Sequence, residues 1–422
     1  MLRIFKFGGA LMKDADGVRK VASIIEEYSC EPLVVVVSAL GKTTNALENI
    51  LDLVLRGEKN EIQAAYFNLK TYHIELINVL FGEKSYDIIV KIEEIFRELW
   101  DALIEEYENE FYAYDQIVGF GEQFSSLIVT EILTERNLPI KNIDARKIIV
   151  TDSNFTDASI NWRYTDKAVD ALVKTTIDNK EIVLTQGFTG ADESGNYTTL
   201  GREGSDFTAA ILANLLDANE VTIWKDVPGL MNADPNRFEN TVKLEKISYY
   251  EAIELAFYGA SVIHPKTIQP LKEKNIPLNV QSFKNPNLKP SVISSDTSED
   301  DKIHKVIIKD KQLLLSITSK NLDFISEDNL TYIFKVFSKN KVHINIMQNS
   351  AVSFSVCFND NPSKLETLMS DLEEKFYLRY NGNLQLITIR HYNDEIIAQH
   401  ISNKKIFLEQ KSRSTVQLLL RE

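Results

Sequence analysis

The chain has 422 residues and a formal net charge of −14, from 47 Lys+Arg against 61 Asp+Glu, and 44% of its residues are hydrophobic. At about 100 to 200 residues per domain, this length predicts two or three compact units, each with enough apolar residues for a core. The acidic balance argues against a nucleic-acid scaffold, because that role needs clustered lysines and arginines. With only two cysteines, Cys30 and Cys357, a disulfide framework and a four-thiolate metal site are excluded, and a reducing cytoplasm fits.

Up to about residue 280, short β-branched runs alternate with helical patterns, which is typical of a mostly parallel sheet covered by helices. The N-terminal apolar run is too short for a signal peptide, and no stretch reaches the roughly 18 apolar residues of a membrane helix. The sequence therefore predicts a soluble α/β protein. The predicted strands are Arg3–Phe7, Leu33–Val37, Ile182–Gln186, Val221–Trp224 and Leu278–Gln281.

A helical insert is predicted at about residues 45–115. From Asn60 to Glu110, apolar residues recur at three- and four-residue spacing in two successive series. This pattern predicts two long amphipathic helices, and it points to no chemistry.

A domain linker is predicted at 286–302, where Pro, Asn, Ser and Asp are frequent. It separates a catalytic domain at 1–285 from a smaller region at 303–422. The smaller region predicts a βαββαβ unit, with helices on one face of an antiparallel sheet. Two further strands, Ile406–Gln410 and Thr415–Leu420, indicate an abbreviated second copy. The elements of the βαββαβ unit are Leu313–Thr318, Asp328–Lys339, Val342–Met347, Val352–Phe358, Ser363–Phe376 and Gln385–His391.

The end of the first predicted strand carries Lys6, Gly8 and Gly9. Glycines at that position let backbone N–H groups approach a phosphate, and a lysine neutralises transferred charge, although this motif alone favours an ordinary turn. Two other nucleotide motifs fail. Gly41-Lys42-Thr43 lacks the first glycine of a P-loop, and Gly119-Phe120-Gly121 lacks the third glycine of a dinucleotide fingerprint, so a nicotinamide enzyme is unsupported.

Two later segments are candidates for ligand binding. Thr185–Asp206 is a glycine-rich loop before a predicted helix at Phe207–Leu216, and a helix N-terminus suits an anion. Trp224–Gly229 places a Pro-Gly turn after a strand of the parallel sheet, where ligands of such sheets bind. Each segment taken alone is equally compatible with a surface loop or a turn. His73 and His264 lack partners at metal-ligand spacing, so no metal site is predicted.

Taken together, six motifs resemble those of the aspartokinases, in that family's order and spacing. The resemblance covers residues 1 to about 285 and extends, less sharply, through a C-terminal region similar to ACT domains. It implies the amino acid kinase fold. The motifs are Lys6–Gly9, Ser38–Asn45, Gly119–Glu122, Leu200–Asp206, Trp224–Gly229 and Gly259–Pro265.

The resemblance implies transfer of the γ-phosphoryl group of ATP to the side-chain carboxylate of L-aspartate, the first step toward lysine, threonine and methionine. Mg²⁺ is expected to be held mainly by ATP phosphates and water. Lys6 and Asp206 would be the catalytic pair. The aspartate-binding residues would be Thr44, Glu122, Arg202 and Ser205, and the nucleotide-binding residues Lys6, Gly8, Gly9, Ser38, Lys225, Asp226 and Arg237.

The chain departs from the family's pattern at four positions. Ala10 replaces a hydroxyl residue and Glu203 a glycine, while Asn236 and Ser261 replace basic residues. We expect Lys225, Arg237 and Lys266 to compensate for the two missing cations.

In the ACT-like region, Asn345, Ile346 and Met347 resemble an effector-binding strand, so feedback inhibition by an amino acid and a homodimer are expected. Asn345 replaces a common acidic residue, which makes inhibition by lysine doubtful. Two other interpretations are open: another kinase of the superfamily, acting on glutamate, N-acetylglutamate or a nucleoside monophosphate, and an amino-acid sensor whose kinase site has decayed. An ACT pair kept only for dimer contacts is a third possibility for the C-terminal region.

Overall fold

The structure is a computed structural model and describes residues 1–260, 263–321, 323–402 and 404–421. The described chain divides into two compact units. The first comprises Met1–Leu230, Lys243–Ile253 and Val262–Thr297, and the second comprises Met231–Val242, Glu254–Ser261 and Ser298–Glu422.

The chain before residue 300 contains both strands and helices, as the sequence predicts up to about residue 280, although several strands or helices follow one another directly. The strands are β1 (Arg3–Phe7), β2 (Leu33–Val37), β3 (Ile140–Asn142), β4 (Val150–Thr151), β5 (Ile182–Gln186), β6 (Thr189–Asp192), β7 (Tyr197–Thr199), β8 (Glu220–Lys225), β9 (Leu230–Met231), β10 (Lys243–Leu244), β11 (Lys246–Ser248), β12 (Leu278–Ser282) and β13 (Ser291–Ser294). The helices are α1 (Ala15–Glu27), α2 (Thr43–Arg56), α3 (Lys59–Phe81), α4 (Ser85–Ile104), α5 (Glu110–Val118), α6 (Phe120–Glu135), α7 (Trp162–Ala168), α8 (Thr175–Asp178), α9 (Gly204–Leu215), α10 (Tyr249–Tyr258) and α11 (Pro265–Glu273).

An eight-stranded sheet forms the centre of the first unit, in the order β11-β13-β12-β8-β1-β2-β5-β3. All pairs are parallel except β12 with β13. The last residue of β1, Phe7, lies opposite Val37 of β2 and Trp224 of β8. The residues that follow these three strands therefore meet at one edge of the sheet.

Helices cover both faces of this sheet, as its fully apolar central strands predict. Successive side chains of a strand point to opposite faces. Phe5 and Phe7 of β1 pack in one core with residues of α1 and α6. Helix α9 contacts β1, β2 and β8, and its buried Ala209, Ala210 and Ala213 let it approach the backbone closely. Lys6, between Phe5 and Phe7, points to the opposite face from these two residues.

The two long helices predicted between Asn60 and Glu110 correspond to α3 and α4. They bury the periodic apolar residues against α2 and α6. His73 of α3 is fully buried; its Nδ1 lies 2.8 Å from the carbonyl oxygen of Leu69 and its Nε2 lies 3.4 Å from Oγ1 of Thr43. This histidine is a core residue that supports the start of α2.

The predicted linker differs from the structure at one point. Ser291–Ser294 is strand β13, which pairs with β12 and β11 in the central sheet. The Pro- and Asn-rich composition that predicted a linker describes only the turn before this strand and the segment after it.

The second unit contains the predicted βαββαβ order, as β14 (Lys305–Ser319), α12 (Glu327–Lys339), β15 (Ile344–Asn349), β16 (Ser353–Asn359), α13 (Pro362–Leu372) and β17 (Phe376–Arg390). It continues with α14 (Asp394–Ile401), β18 (Lys405–Lys411) and β19 (Thr415–Arg421). These strands form an antiparallel sheet in the order β15-β16-β14-β17-β19-β18. Strand β17 begins at Phe376, earlier than predicted, because it pairs along the whole of β14. Helix α14 was not predicted.

Candidate active site

A cavity of about 620 Å³ lies at the carboxyl ends of β1, β2 and β8, within the first unit. Its wall is made by the chain segments that follow these strands, by α5 and α6, and by the glycine-rich loop before α9. The structure brings together most of the residues that the motifs indicated. Those that line the cavity are Lys6, Gly8, Ser38, Thr44, Glu122, Arg202, Ser205, Asp206, Lys225 and Asp226.

Lys6 and Asp206 form an ion pair in this cavity. The Nζ atom of Lys6 is 2.6 Å from Oδ1 of Asp206, and the two side chains are 12% and 4% exposed. Asp206 lies in the first turn of α9, where the positive end of the helix dipole stabilises a carboxylate. The pair therefore fixes an ammonium group at the end of β1 while leaving it in contact with the cavity.

Glu122 is a buried carboxyl group that lines the same cavity. Its side chain is 3% exposed, and Oε1 accepts a hydrogen bond of 3.2 Å from the backbone N–H of Ala39. Its other oxygen, Oε2, is buried without a hydrogen-bond partner among the described residues. Burial raises the pKa of Glu122 to about 8, and the bond from Ala39 and the charge of Lys6 act in the opposite direction. The described residues therefore leave Oε2 of Glu122 without a hydrogen-bond donor or a cation.

The loop before α9 has two residues in the left-handed region. Gly201 has φ +75°, and Glu203 has φ +54° although it is not a glycine. The Glu203 carboxylate accepts a 2.7 Å hydrogen bond from the backbone N–H of His264, which precedes α11. Its charge therefore meets the N-terminus of that helix, where an anion is stabilised. Between these two residues, the side chain of Arg202 is exposed at the cavity.

The two glycines after β1 differ in their surroundings. Gly8 lines the cavity, and a Cβ there would meet only the Nζ atom of Lys6, at 3.6 Å. A Cβ on Gly9 would lie 2.0 Å from the carbonyl oxygen of Ala39. Gly9 is thus needed for close packing of two chain segments, and it is absent from the residues that line the cavity.

The nucleotide side of the predicted site is formed at the ends of β2 and β8. Ser38 and Lys225 are half-buried there, and Asp226 is exposed. Trp224 is buried beside them, with its ring stacked on Phe7 at a centroid distance of 5.8 Å. This packing fixes the direction in which the strand leads into Lys225.

Several residues that the sequence analysis named are not among those that line this cavity. Arg237 belongs to the second unit, where its guanidinium pairs with Asp310. Lys266 pairs with Asp157 instead of lining the cavity. Asn236 forms hydrogen bonds with Asp234 of its own turn. Ala10, by contrast, lines the cavity. Ser261 falls outside the described residues.

The three predicted effector residues lie on β15 in the second unit. Ile346 is buried and Met347 is 49% exposed. Asn345 Oδ1 accepts a 2.9 Å hydrogen bond from Lys309, and its Nδ2 donates to Gln312 at 2.7 Å. The polar atoms of Asn345 are therefore engaged by side chains of the chain itself.

Besides Ala10, four lining residues lie outside the six motifs: Leu11, Tyr114, Thr156 and Phe188. The Tyr114 hydroxyl donates to Glu48 at 3.0 Å, and Thr156 has φ +70°. Tyr114 lies eight residues before Glu122, and the helix pair α5 and α6 brings both to the cavity. For Tyr114, the sequence signal was a helical pattern of residues that leads up to the Gly119–Glu122 motif.

Neither a metal cage nor a membrane span is present in the part of the chain that the structure describes. No group of three or more His, Cys, Asp or Glu side chains there could hold a metal ion. No helix within the described ranges is both long and apolar enough to cross a membrane.

Comparisons with known proteins agree with this arrangement. The family model of the amino acid kinase family matches residues 1–282. The chain is 30% identical to lysine-sensitive aspartokinase 3 of Escherichia coli over 364 residues, which cover 85% of this chain and 79% of that protein. It is 29% identical to the chloroplastic aspartokinase 1 of Arabidopsis thaliana over 375 residues, covering 86% of this chain and 64% of that protein.

A solved structure matches the whole of this chain. The crystal structure of Escherichia coli aspartokinase III in complex with aspartate and ADP aligns with a TM-score of 0.82 and 25% identity, covering 100% of this chain and 96% of that one. This likeness confirms the predicted fold class, a mostly parallel sheet between helices followed by an antiparallel α+β region.

Proposed function

The chain belongs to the amino acid kinase family and, within it, to the aspartokinases, and on this premise we propose that it phosphorylates the side-chain carboxylate of L-aspartate with ATP. The product is 4-phospho-L-aspartate, from which lysine, threonine and methionine are made. The observation that carries the proposal is one cavity that holds the Lys6–Asp206 ion pair and the buried, unpartnered oxygen of Glu122.

The charges of the cavity suit an amino acid with an acidic side chain. Oε2 of Glu122 lacks a cationic partner among the described residues, and the α-ammonium group of aspartate would supply one. The exposed guanidinium of Arg202 presents the planar donor fork that pairs with a carboxylate. We assign the hydroxyl groups of Thr44 and Ser205 to the same substrate.

The nucleotide is assigned to the other side of the cavity, along Gly8, Ser38, Lys225 and Asp226. Lys6 lies on β1, which stands between β8 and β2 in the sheet, and we assign it to the transferring phosphoryl group. Asp206 holds the Lys6 ammonium in place, so the charge needs little rearrangement when the phosphoryl group moves.

The reaction needs no general base. A side-chain carboxylate with a pKa of about 3.9 is already ionised at neutral pH. One of its oxygens forms a bond to the γ-phosphorus while the bond to the β–γ bridging oxygen breaks, and the bonding electrons leave with ADP. Lys6 and the backbone N–H groups near Gly8 stabilise charge on the phosphoryl oxygens, and the cavity holds the two anions in line.

Mg²⁺ fits this site as an ion carried by ATP. Asp206 is paired with Lys6, and the described residues offer no three-ligand cluster, so phosphate oxygens and water would provide most of its ligands. The ion supplies further neutralisation of phosphate charge when bound. Asp226, exposed at the cavity, supplies a carboxylate for a water-mediated contact with the ion.

For the second unit we propose amino-acid binding at β15 and a homodimer formed through the ACT-like sheet. Because Asn345 is neutral and already bonded to Lys309 and Gln312, we expect weak or absent inhibition by lysine. Assays with lysine, threonine and methionine, singly and in pairs, test the regulatory role. Absence of inhibition by each amino acid and by each pair would refute the regulatory role. Light scattering of the purified chain tests the dimer.

The experiment that tests the catalytic proposal is trapping of the acyl phosphate with hydroxylamine. The purified chain is given ATP, Mg²⁺ and either aspartate, glutamate or N-acetylglutamate, and hydroxamate and ADP are measured. We expect hydroxamate and ADP to form when aspartate is the acceptor, and neither product to form with glutamate or N-acetylglutamate. Equal products with glutamate would favour another kinase of the superfamily, and absence of ADP release with any acceptor would favour an amino-acid sensor without kinase activity.

A further inference from the structure

A buried carboxylate, Asp115 of α5, lies behind the wall of the cavity. Its side chain is 1% exposed. The backbone N–H of Thr156 donates to both of its oxygens, at 3.1 and 3.0 Å. The backbone N–H and the hydroxyl of Thr199 donate to it at 2.9 and 2.6 Å. One carboxylate thus binds two chain segments that are distant in the sequence.

No cationic side chain among the described residues pairs with this carboxylate. Burial raises the pKa of Asp115 to about 6, and only the hydrogen bonds from Thr199 and Thr156 act against that rise. A buried carboxylate without a counter-charge destabilises a fold unless hydrogen bonds satisfy it. Asp115 is satisfied by Thr156 and Thr199, so the two segments that carry these threonines are fixed to it.

The first segment that Asp115 holds is strained. Thr156 lines the cavity with φ +70°, and a β-branched residue in the left-handed region is an outlier that persists only where its surroundings fix it. Its N–H is fixed by Asp115, and the next side chain, Asp157, pairs with Lys266 at the start of α11. The segment is therefore tied at two successive residues.

The second segment leads directly to the predicted substrate residue. Thr199 ends β7, and the loop with Gly201 and Arg202 follows it. The two segments also touch each other: Ala158 N–H donates to the Thr199 carbonyl at 3.0 Å, and a Cβ on Gly201 would lie 3.2 Å from the Thr156 carbonyl oxygen. The side chain of Asp115 is thus the common anchor of both.

We propose that Asp115 is a positioning residue for the aspartate end of the cavity, which acts through Thr156 and Thr199 to place Arg202 against the substrate carboxylate. The inference rests on the proposed function, because that function defines which end of the cavity receives aspartate. It assigns Asp115 no contact with substrate. The nucleotide residues lie on or follow β1, β2 and β8, so we expect them not to depend on this anchor.

The test compares three variants by steady-state kinetics and by nucleotide binding. Asp115→Ala removes every acceptor, and we expect the KM for aspartate to rise about tenfold while the KM for ATP stays within about twofold. Asp115→Asn keeps one oxygen for the two N–H groups, and its amide can donate to the Thr199 hydroxyl, so we expect a rise below about threefold. This rescue separates hydrogen-bond geometry from a need for charge.

The control is Asp192→Ala. Asp192 is also a buried carboxylate, and it accepts hydrogen bonds from Ser194 and Asn196 of its own hairpin and from Ser153, which lies three residues before Thr156. Its hydrogen bonds within the described residues reach neither Thr156 nor Thr199, so we expect the KM for aspartate to stay within about twofold of the unmodified chain.

Three outcomes would overturn the proposal: an unchanged KM for aspartate in Asp115→Ala, an equal rise in Asp192→Ala, or Asp115→Asn as impaired as Asp115→Ala. If Asp115→Ala does not fold, Thr199→Val loses only the hydroxyl bond, and we expect an increase of about threefold in the same KM. No increase in that variant would also refute the proposal. Failure of the proposed function is distinguished by the unmodified chain, which would then show no aspartate-dependent ADP release.

Discussion

Aspartate binding should release a proton from Glu122, and the size of the effect can be worked out from the structure. Burial raises the pKa of this carboxyl group to about 8 when Oε2 lacks a partner. An ammonium group placed at Oε2 favours the ionised form, so the bound complex holds Glu122 as a carboxylate. The group is therefore mostly protonated before binding at neutral pH and ionised afterwards.

The sign and magnitude follow from this difference. Below the pKa of the free site, each pH unit lowers the ionised fraction about tenfold, so aspartate affinity falls by about the same factor, or 1.4 kcal/mol. Affinity should therefore rise from pH 6 to pH 8 and level off above the free-site pKa. The pKa of Glu122 in the folded protein lies above its ordinary value because burial disfavours the ionised carboxylate.

Isothermal titration calorimetry of aspartate in two buffers with different ionisation enthalpies measures the released protons directly. We expect about 0.9 proton released per aspartate at pH 7, decreasing toward zero above pH 9. The Glu122→Gln variant is the matched control, because it keeps the shape and the Ala39 hydrogen bond but cannot release a proton. A proton release near zero at pH 7 in the unmodified chain, or an equal release in the variant, would refute the reasoning.

Three further predictions concern the phosphate side and the loop before α9. Lys225→Ala should raise the KM for ATP about fivefold and leave that for aspartate unchanged, since Lys225 is the predicted cation that remains at the cavity; steady-state kinetics with each substrate varied decides this. Asp206→Asn should lower kcat about 100-fold with a smaller effect on either KM, because it leaves Lys6 without the charge that holds it, and single-turnover measurements would expose an effect confined to product release. Glu203→Ala should lower the free energy of unfolding by about 1 kcal/mol, because the hydrogen bond from His264 is lost. Glu203→Gly should leave the free energy of unfolding nearly unchanged, because glycine loses the same bond but also removes the left-handed strain. Denaturant unfolding of both variants measures the two free energies.

Five of the eight strands of the central sheet were predicted, and β3, β11 and β13 were not. Leu33–Val37 agrees with the structure at both ends, since an unbroken apolar run that is buried on both faces has few alternatives. Ile182–Gln186, which is fully buried, also agrees at both ends. The start of α9 was less predictable. Its first turn holds Gly204, Ser205 and Asp206, which are typical loop residues, so the periodic pattern became visible only at Phe207.

The cavity residues were predictable where a motif places them at the end of a strand, as for Lys6 and Lys225. The position of Thr156 was not, because its contact with the cavity depends on a hydrogen bond to Asp115, 41 residues earlier in the chain. The pairing of Arg237 was equally unpredictable. The sequence indicated it as a compensating cation because it follows Asn236, and its role at the nucleotide stays a prediction. Its partner in the structure is Asp310, 73 residues later, and a single sequence offers no sign of that pairing.

Two of the departures from the family pattern, Ala10 and Glu203, line the cavity and leave its Lys6–Asp206 pair intact. Ala10 removes a hydroxyl group from the cavity wall without adding charge. The Glu203 carboxylate is directed to the His264 N–H. Lys6 is held at 2.6 Å by Asp206, an arrangement that an amino-acid sensor would not need, because a bound amino acid offers no phosphoryl group to neutralise. The retained pair therefore favours a working kinase over a decayed one, and the departures predict altered substrate affinity more than loss of the reaction.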